Sequence, residues 1–288
     1  MNHLDLNDDR HLVCFTDLDG TLLDHQTYAV GEAGEAVRRL SDHGVPLIFC
    51  SSKTFAEQIH LQRLLGLNQP FIFENGSAVA IPNGYFEEDA DLNKLDRPEA
   101  GKGQEAYLFY VLSNTDPEVI GGLLAHFNDV KSFSDVPDTE LSRVTGLKDE
   151  ALGRARARWF TETLLSPLDP EKAGSLASHL APAGLELSKG GRFFTVQSSA
   201  AGKGKAVKWL SGIFRKKWKK ALKFAAIGDS PNDVPMLNNV DLPFLVQTIS
   251  GDWTKVEIPG LIRVKGIGPA GFAAAVDILL NPCMSESK

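Results

Sequence analysis

Short apolar runs alternate with helical stripes over the first eighty residues of the chain. Residues 12–15 form one apolar run, and residues 45–50 form another that only Pro46 interrupts. Between and after them, residues 32–43 and 53–65 place apolar side chains at helical spacing. Strands that alternate with helices in this way predict a parallel sheet that is covered by helices on both faces.

The middle of the chain has a different pattern. Residues 83–104 are polar and rich in acidic side chains, which is typical of a linker or an irregular connection. Short strands and helices of an α+β type follow, and the alternating pattern returns from residue 205. We therefore predict an α/β fold: a Rossmann-like, doubly wound parallel sheet core, interrupted by an inserted α+β unit. The predicted core comprises residues 1–84 and 191–288, and the predicted insert comprises residues 85–190.

Composition narrows the class of protein further. The chain has 288 residues, of which 43% are hydrophobic and 23% charged, as in ordinary globular proteins. A net charge of −7 disfavours nonspecific nucleic-acid binding, which needs a cationic surface. No apolar run approaches the ~20 residues of a membrane span, and the N-terminus lacks a secretory pattern. We expect a cytoplasmic protein without nucleic-acid or membrane partners, and no sequence feature specifies an oligomeric state.

Two acidic clusters follow predicted strands. Asp17 and Asp19 come directly after the first strand, and Asp229, Asn232 and Asp233 follow a later one. The carboxyl ends of parallel strands meet at one edge of a sheet, where ligands of such folds bind. Carboxylates from two strand ends can share one hard cation, and Mg²⁺ prefers a few carboxylates together with waters and a phosphate oxygen.

Two further polar segments can contact a phosphate group. A hydroxyl of Ser51 or Ser52, after the second strand, can donate to a phosphate oxygen, and the helix that follows adds backbone donors. Lys203 or Lys205 can reach the same group from a glycine-containing turn, whose spacing is not that of a Walker loop. Taken alone, the serine segment is typical of an ordinary helix cap. Taken alone, the lysine segment is equally typical of a solvated surface lysine.

Taken together, and in their order along the chain, the four segments resemble the motifs of the haloacid dehalogenase superfamily of phosphatases. The position of the insert, between the second and third motifs, resembles that of the type IIB cap. Narrower features are similar to the mannosyl-3-phosphoglycerate phosphatases and their close relatives. They are residues 49–54, 73–76, 190–193 and 201–203, followed by residues 228–233.

The resemblance implies a magnesium-dependent phosphatase. Asp17 would be the nucleophile that forms an aspartyl-phosphate, and Asp19 would act first as general acid and then as general base. Asp17, the backbone carbonyl of Asp19 and Asp229 would hold Mg²⁺, while Asn232 and Asp233 would orient or supplement that site. The substrate would be a small phosphorylated sugar or glycerate, and the narrower resemblance implies hydrolysis of mannosyl-3-phosphoglycerate to mannosylglycerate and phosphate.

The resemblance also implies roles in substrate binding. Ser51, with Ser52 as the alternative, and Lys203 would hold the phosphoryl oxygens, and the insert would close over the site and select the leaving group. A substrate of this kind carries a carboxylate, which an arginine can bind bidentately. The candidate substrate-binding residues are Lys53, Glu74, Asn75, Arg143 and Arg192.

Several alternatives share some of these residues. A phosphatase for another sugar phosphate, such as glucosyl-3-phosphoglycerate or sucrose phosphate, would use the same core, and so would a phosphoryl mutase. A signalling receiver module also phosphorylates an aspartate at a sheet edge. Receivers lack both an acid at the position of Asp19 and an inserted unit, which disfavours that alternative. A binding protein without activity is disfavoured because every motif position is chemically competent.

Overall fold

The computed structural model describes residues 11–86, 106–219 and 221–281. Eleven strands and nine α-helices are present in these ranges. The strands are β1 (His11–Thr16), β2 (Leu47–Cys50), β3 (Phe71–Phe73), β4 (Ala78–Pro82), β5 (Tyr107–Val111), β6 (Glu162–Leu164), β7 (Leu185–Lys189), β8 (Phe194–Ser198), β9 (Leu222–Gly228), β10 (Leu242–Gln247) and β11 (Ile262–Ile267). The helices are α1 (Ala33–Asp42), α2 (Phe55–Leu64), α3 (Pro117–Leu124), α4 (Asp138–Thr145), α5 (Glu150–Arg156), α6 (Pro170–Leu180), α7 (Lys203–Trp218), α8 (Val234–Leu237) and α9 (Pro269–Leu280).

An eight-stranded sheet forms the core, with the strand order β11-β10-β9-β1-β2-β3-β4-β5. The six strands from β11 to β3 pair in parallel, and β4 runs antiparallel to both of its neighbours. This arrangement confirms the predicted α/β fold. Among the described residues, no helix has the length and apolar character needed to cross a membrane.

Both faces of this sheet are buried, which explains the uninterrupted apolar character of its central strands. Cys14 of β1 packs in the cluster that includes Val37 of α1 and Phe272 of α9. Its neighbour Phe15 points to the opposite face, where the cluster includes Phe214 of α7. Successive side chains of a strand alternate between faces, so every residue of such a strand must be apolar or small.

The insert is built on a second, three-stranded antiparallel sheet with the order β6-β8-β7. Helices α3 and α6 cover it through an apolar cluster that contains Ile120 and Leu176. Both helices begin with an aspartate cap followed by proline. Asp116 accepts a hydrogen bond from the backbone N–H of Val119 at 3.0 Å, and Asp169 accepts one from the backbone N–H of Lys172 at 2.8 Å. This is the α+β architecture that the sequence predicts.

Strand pairing does not follow the predicted boundaries at residues 85 and 190. β5 lies inside the predicted insert but pairs with β4 of the core, with Ala78 opposite Val111. β8 lies inside the predicted second part of the core but pairs with β6 and β7. By pairing, the insert therefore runs from residue 112 to residue 199. The polar stretch 83–104 joins two neighbouring strands of one sheet rather than two domains, and most of it lies outside the described residues.

Candidate active site

The adjacent carboxyl ends of β1 and β9 place two aspartates side by side. Asp17 follows β1 directly, and its backbone N–H donates to the carbonyl of Ile227 in β9 at 2.9 Å. Asp229 follows β9, and its Oδ1 accepts a hydrogen bond from the Thr21 hydroxyl at 3.2 Å. Gly20 closes the turn after β1 at φ +88°, where a Cβ would lie 2.9 Å from Asp229 Oδ2. Only glycine satisfies both that left-handed conformation and that close approach.

Three buried carboxylates meet at this edge of the sheet and form what we call the carboxylate cluster. Oxygens of Asp17, Asp229 and Asp233 lie within 4.8 Å of one another. The ammonium of Lys203, which is 2% exposed, lies 2.6 Å from Asp17 Oδ1 and 2.7 Å from Asp233 Oδ1. Among the described residues, Lys203 is the cation in direct contact with the cluster. One cation against three carboxylates leaves an excess of negative charge.

The excess charge changes the proton affinity of the cluster. Burial raises the pKa of Asp17 to about 7, which the ion pair with Lys203 opposes and the charge of Asp233 reinforces. Burial likewise raises the pKa of Asp229 well above its usual range, with further contributions from Asp233 and Asp17. A site of buried hard oxygen donors with surplus negative charge is suited to a divalent cation, and the donor set fits Mg²⁺.

Asp233 organises the loop after β9. Its Oδ2 accepts hydrogen bonds from the backbone N–H groups of Asp229 at 3.0 Å and Ser230 at 3.1 Å, while its Oδ1 contacts Lys203. Asn232 Oδ1 accepts from the Ser230 hydroxyl at 2.5 Å. Asp233 therefore orients Asp229 and Lys203, because its own oxygens are already occupied by protein donors.

Lys53 connects Asp19 to helix α2. Its ammonium lies 3.1 Å from Asp19 Oδ1 and 3.4 Å from Glu57 Oε1, and it stands over the Tyr28 ring at 4.6 Å. The lysine is held in place because Thr54 and Glu57 form a reciprocal capping box at the start of α2. Lys53 therefore neutralises and positions Asp19, the predicted general acid.

The structure separates the paired candidates for phosphate binding. Ser51 is fully buried, and its Oγ accepts from the Lys53 backbone at 3.3 Å, whereas Ser52 lines the cavity described below. Lys205 donates to the backbone carbonyls of residues 199 and 200. Of the two lysines, it is Lys203 that the structure brings to the carboxylate cluster.

A cavity of about 80 Å³ lies between the core and the insert, and we refer to it as the cleft. Its lining combines the predicted catalytic aspartates with residues of both units. Asp17, Asp19, Tyr28 and Lys53 line it from the core, and Arg158 and Arg192 line it from the insert. The guanidinium of Arg192 also donates to the carbonyls of Val144 at 2.5 Å and Thr145 at 3.2 Å.

Glu74 has a different environment from the one predicted. It is fully buried, and its carboxylate accepts hydrogen bonds from Trp159 N at 2.8 Å, Phe160 N at 3.0 Å and Thr161 Oγ1 at 2.7 Å. Burial raises its pKa, and the charge of Arg158 opposes that shift. The assignment of Glu74 to sugar hydroxyls is therefore corrected: three donors from the insert already occupy its oxygens.

Asn75 and Arg143 are also not brought to the cleft. Asn75 is 2% exposed, and its backbone N–H donates to the Ser51 carbonyl at 2.9 Å, which places it beneath the loop after β2. Arg143 is exposed on α4 and is not among the residues that line the cleft. Sequence reasoning missed Arg158 and Tyr28, because each is a single residue outside any motif and approaches the site only through the fold.

Comparison with known proteins agrees with this geometry. Residues 14–100 match the family of haloacid dehalogenase-like hydrolases. A protein from Persephonella marina, named glucosyl-3-phosphoglycerate/mannosyl-3-phosphoglycerate phosphatase, is 32% identical over 275 residues, which cover 94% of this chain and 97% of that protein. A protein of the same name from Methanococcoides burtonii is 34% identical over 280 residues, covering 94% of this chain and 98% of that protein.

Solved structures share the fold. A phosphatase of the haloalkanoate superfamily from Bacteroides thetaiotaomicron has a TM-score of 0.62 at 14% identity, covering 94% of this chain and 95% of that chain. The sucrose-phosphatase of Synechocystis, solved with sucrose and phosphate, has a TM-score of 0.58 at 14% identity, covering 94% and 98%. The relatives at 32% and 34% identity, named as phosphatases, and the family match together define the class of the protein as a phosphatase. The chain belongs to the haloacid dehalogenase-like hydrolases.

Proposed function

We propose that the protein hydrolyses the phosphomonoester of a glycosyl-3-phosphoglycerate, with the mannosyl compound as the principal substrate. Mannosylglycerate and inorganic phosphate would be the products. The observation that carries this proposal is the placement of Asp17, Asp19 and three cationic side chains around one cleft between core and insert. The names of the relatives at 32% and 34% identity support the choice of substrate.

In the first step, a carboxylate oxygen of Asp17 attacks phosphorus and the bond from phosphorus to the ester oxygen breaks. Asp17 then carries the phosphoryl group as an acyl phosphate, and Asp19 delivers a proton to the leaving oxygen. Lys203, at 2.6 Å from Asp17, fixes the nucleophile and can offset charge on the phosphoryl oxygens. Ser51 and Ser52, on the loop after β2, are the proposed hydroxyl and backbone donors to the same oxygens.

In the second step, Asp19 removes a proton from a water molecule, whose oxygen attacks phosphorus and releases inorganic phosphate. Asp17 regains its carboxylate, so the two steps regenerate the starting protein. Asp17, Asp229 and the backbone carbonyl of Asp19 would hold Mg²⁺, with Asn232 and Asp233 in support. The ion, when bound, neutralises negative charge shared by the carboxylate cluster and the phosphate.

The substrate proposal is tested by phosphate release in the presence of Mg²⁺ across a panel of phosphomonoesters. The panel contains mannosyl- and glucosyl-3-phosphoglycerate, 3-phosphoglycerate, sucrose 6-phosphate and mannose 6-phosphate. We expect kcat/KM for a glycosyl-3-phosphoglycerate to exceed that for the sugar phosphates by about a hundredfold, worth ~2.7 kcal/mol of transition-state binding. A flat profile, or a maximum on another sugar phosphate, would contradict the substrate proposal and leave the phosphatase chemistry in place.

Removal of divalent cations should abolish turnover, because the carboxylate cluster then repels the anionic phosphate. We expect EDTA to stop phosphate release and added Mg²⁺ to restore it. Mg²⁺ should also raise the unfolding temperature of the metal-free protein, since binding to the folded state alone is stabilising. Asp229→Asn should weaken both responses together. Full activity in excess EDTA would rule out the metal site.

A further inference from the structure

The cleft is lined by three lysine or arginine side chains of the described residues, and their partners differ. Lys53 is engaged by two carboxylates, those of Asp19 and Glu57. Both terminal nitrogens of Arg192 donate to backbone carbonyls of α4. Arg158 has no carboxylate within ion-pair distance among the described residues. It is therefore the cleft cation that has no direct carboxylate partner in the described ranges, and its charge acts on the buried Glu57 and Glu74 only from a longer distance.

The guanidinium of Arg158 is held at one corner and has unpaired donors along another edge. Its Nη1 donates to the Ser52 carbonyl at 3.3 Å and to Thr161 Oγ1 at 2.9 Å. Its Nε is buried and has no hydrogen-bond partner in the part of the chain that the structure describes. Nη2 likewise has no partner there. A buried donor without an acceptor is unfavourable, so an incoming acceptor at the Nε–Nη2 edge would be bound favourably.

The Arg158 guanidinium is held beside the loop that follows β2. The contact with Ser52 ties it to the residue between Ser51 and Lys53, and Lys53 in turn contacts Asp19. The segment that follows Arg158 is anchored by its hydrogen bonds to Glu74. Arg158 is therefore tied to the loop that carries Lys53, the residue in contact with Asp19.

We propose that Arg158 binds the carboxylate of the leaving alcohol through its Nε–Nη2 edge and so selects phosphomonoesters of hydroxy acids. The planar fork of a guanidinium matches two carboxylate oxygens, a geometry that lysine cannot reproduce. This inference rests on the proposed function and assigns recognition of the carboxylate to Arg158, in place of Arg192 or Arg143.

The test compares matched substrates with and without the carboxylate. One pair is mannosyl-3-phosphoglycerate and its analogue with the carboxylate reduced to an alcohol, and the other is 3-phosphoglycerate and glycerol 3-phosphate. Wild type should prefer the carboxylate member of each pair. Arg158→Gln should lower kcat/KM for the carboxylate members by about a hundredfold and for the neutral members by less than threefold, as expected for one charge-assisted bidentate contact. Arg158→Lys should retain part of the preference.

Arg143→Gln, which changes an exposed arginine outside the cleft, is the matched control and should leave both pairs unchanged. Thermal unfolding checks that each variant is folded. If Arg158→Gln does not fold, Arg158→Lys, which retains the charge, is compared with wild type on the same pairs of substrates. Equal losses on both members of a pair, or a wild type without preference for the carboxylate, would overturn the inference. A wild type that prefers 3-phosphoglycerate to its glycosylated form, together with loss of the preference for 3-phosphoglycerate over glycerol 3-phosphate in Arg158→Gln, would uphold Arg158 and reject the proposed substrate.

Discussion

Replacing Asp17 by asparagine should lower kcat/KM for every phosphomonoester by at least about a thousandfold, or ~4 kcal/mol in the activation barrier. The amide cannot attack phosphorus, and the neighbouring carboxylates of Asp229 and Asp233 belong to the loop after β9 rather than to the end of β1. The measurement is phosphate release with a good and a poor leaving group. Asp42→Asn, an exposed carboxylate at the end of α1, is the matched control and should behave as wild type.

The same variant makes a distinct prediction for stability. The pKa of Asp17 rises from 3.8 to about 7 on folding, because burial disfavours its charged form. With a raised pKa, the folded protein holds this proton more tightly than the unfolded chain does. The free energy of unfolding therefore falls as the pH rises through that interval. In EDTA at pH 8, Asp17→Asn should therefore be at least as stable as wild type, and any advantage should shrink as the pH falls toward 5. An unfolded variant would contradict this stability prediction, whereas a folded variant with activity above a thousandth of wild type would contradict the nucleophile assignment.

Replacing Lys203 by methionine should damage both stability and catalysis. Its ammonium lies within 2.7 Å of two buried carboxylates, and its removal leaves them without their cation. Breaking a buried ion pair from one side costs about 3–5 kcal/mol, which denaturant unfolding of the metal-free protein would measure. Activity should fall by at least about a hundredfold, since in the proposed mechanism the same group offsets charge on the phosphoryl oxygens.

Lys205→Met is the matched control, because it changes a lysine two residues further along the same helix. Lys205 is exposed and donates to backbone carbonyls, so we expect less than ~1 kcal/mol of destabilisation and normal turnover. Adding Asp233→Asn to Lys203→Met should restore part of the stability by removing one uncompensated charge. Equal effects of the two lysine substitutions would show that Lys203 has no special role in the carboxylate cluster.

The sequence was sufficient for residues whose positions are set by the ends of strands. Asp17 and Asp229 follow two apolar runs, and the parallel pairing of β1 with β9 brings them together without long-range information beyond the fold class. The glycine-containing turn left Lys203 and Lys205 as alternatives, and only the structure separates them: Lys203 contacts Asp17 and Asp233, whereas Lys205 donates to backbone carbonyls.

Residues whose partners are distant in sequence could not be predicted in this way. Glu74 looks like a loop acid beside Asn-Gly, yet its acceptors are filled by donors that lie 85 to 87 residues away. The boundaries failed for a similar reason: the apolar patterns of β5 and β8 predict strands, but they do not specify which sheet each strand joins. The partner of a strand is a property of the folded chain, not of its local pattern.

The two sides of the cleft are joined in different ways. On one side, the hydrogen bonds of Glu74 and that of Thr54 Oγ1 to the Arg154 carbonyl, at 2.7 Å, fasten residues 154–161 to the core. On the other, Gly191 lies against His25, where a Cβ would come within 2.9 Å, and the hydrogen bond from its neighbour Arg192 to the Tyr28 hydroxyl is long, at 3.5 Å. A space of about 80 Å³ is far below the ~300 Å³ of small-molecule pockets, so we expect the insert to move when a disaccharide-sized ester binds. If the fastened side were the axis of that motion, the glycine turn would travel furthest and the opening would lie beside His25.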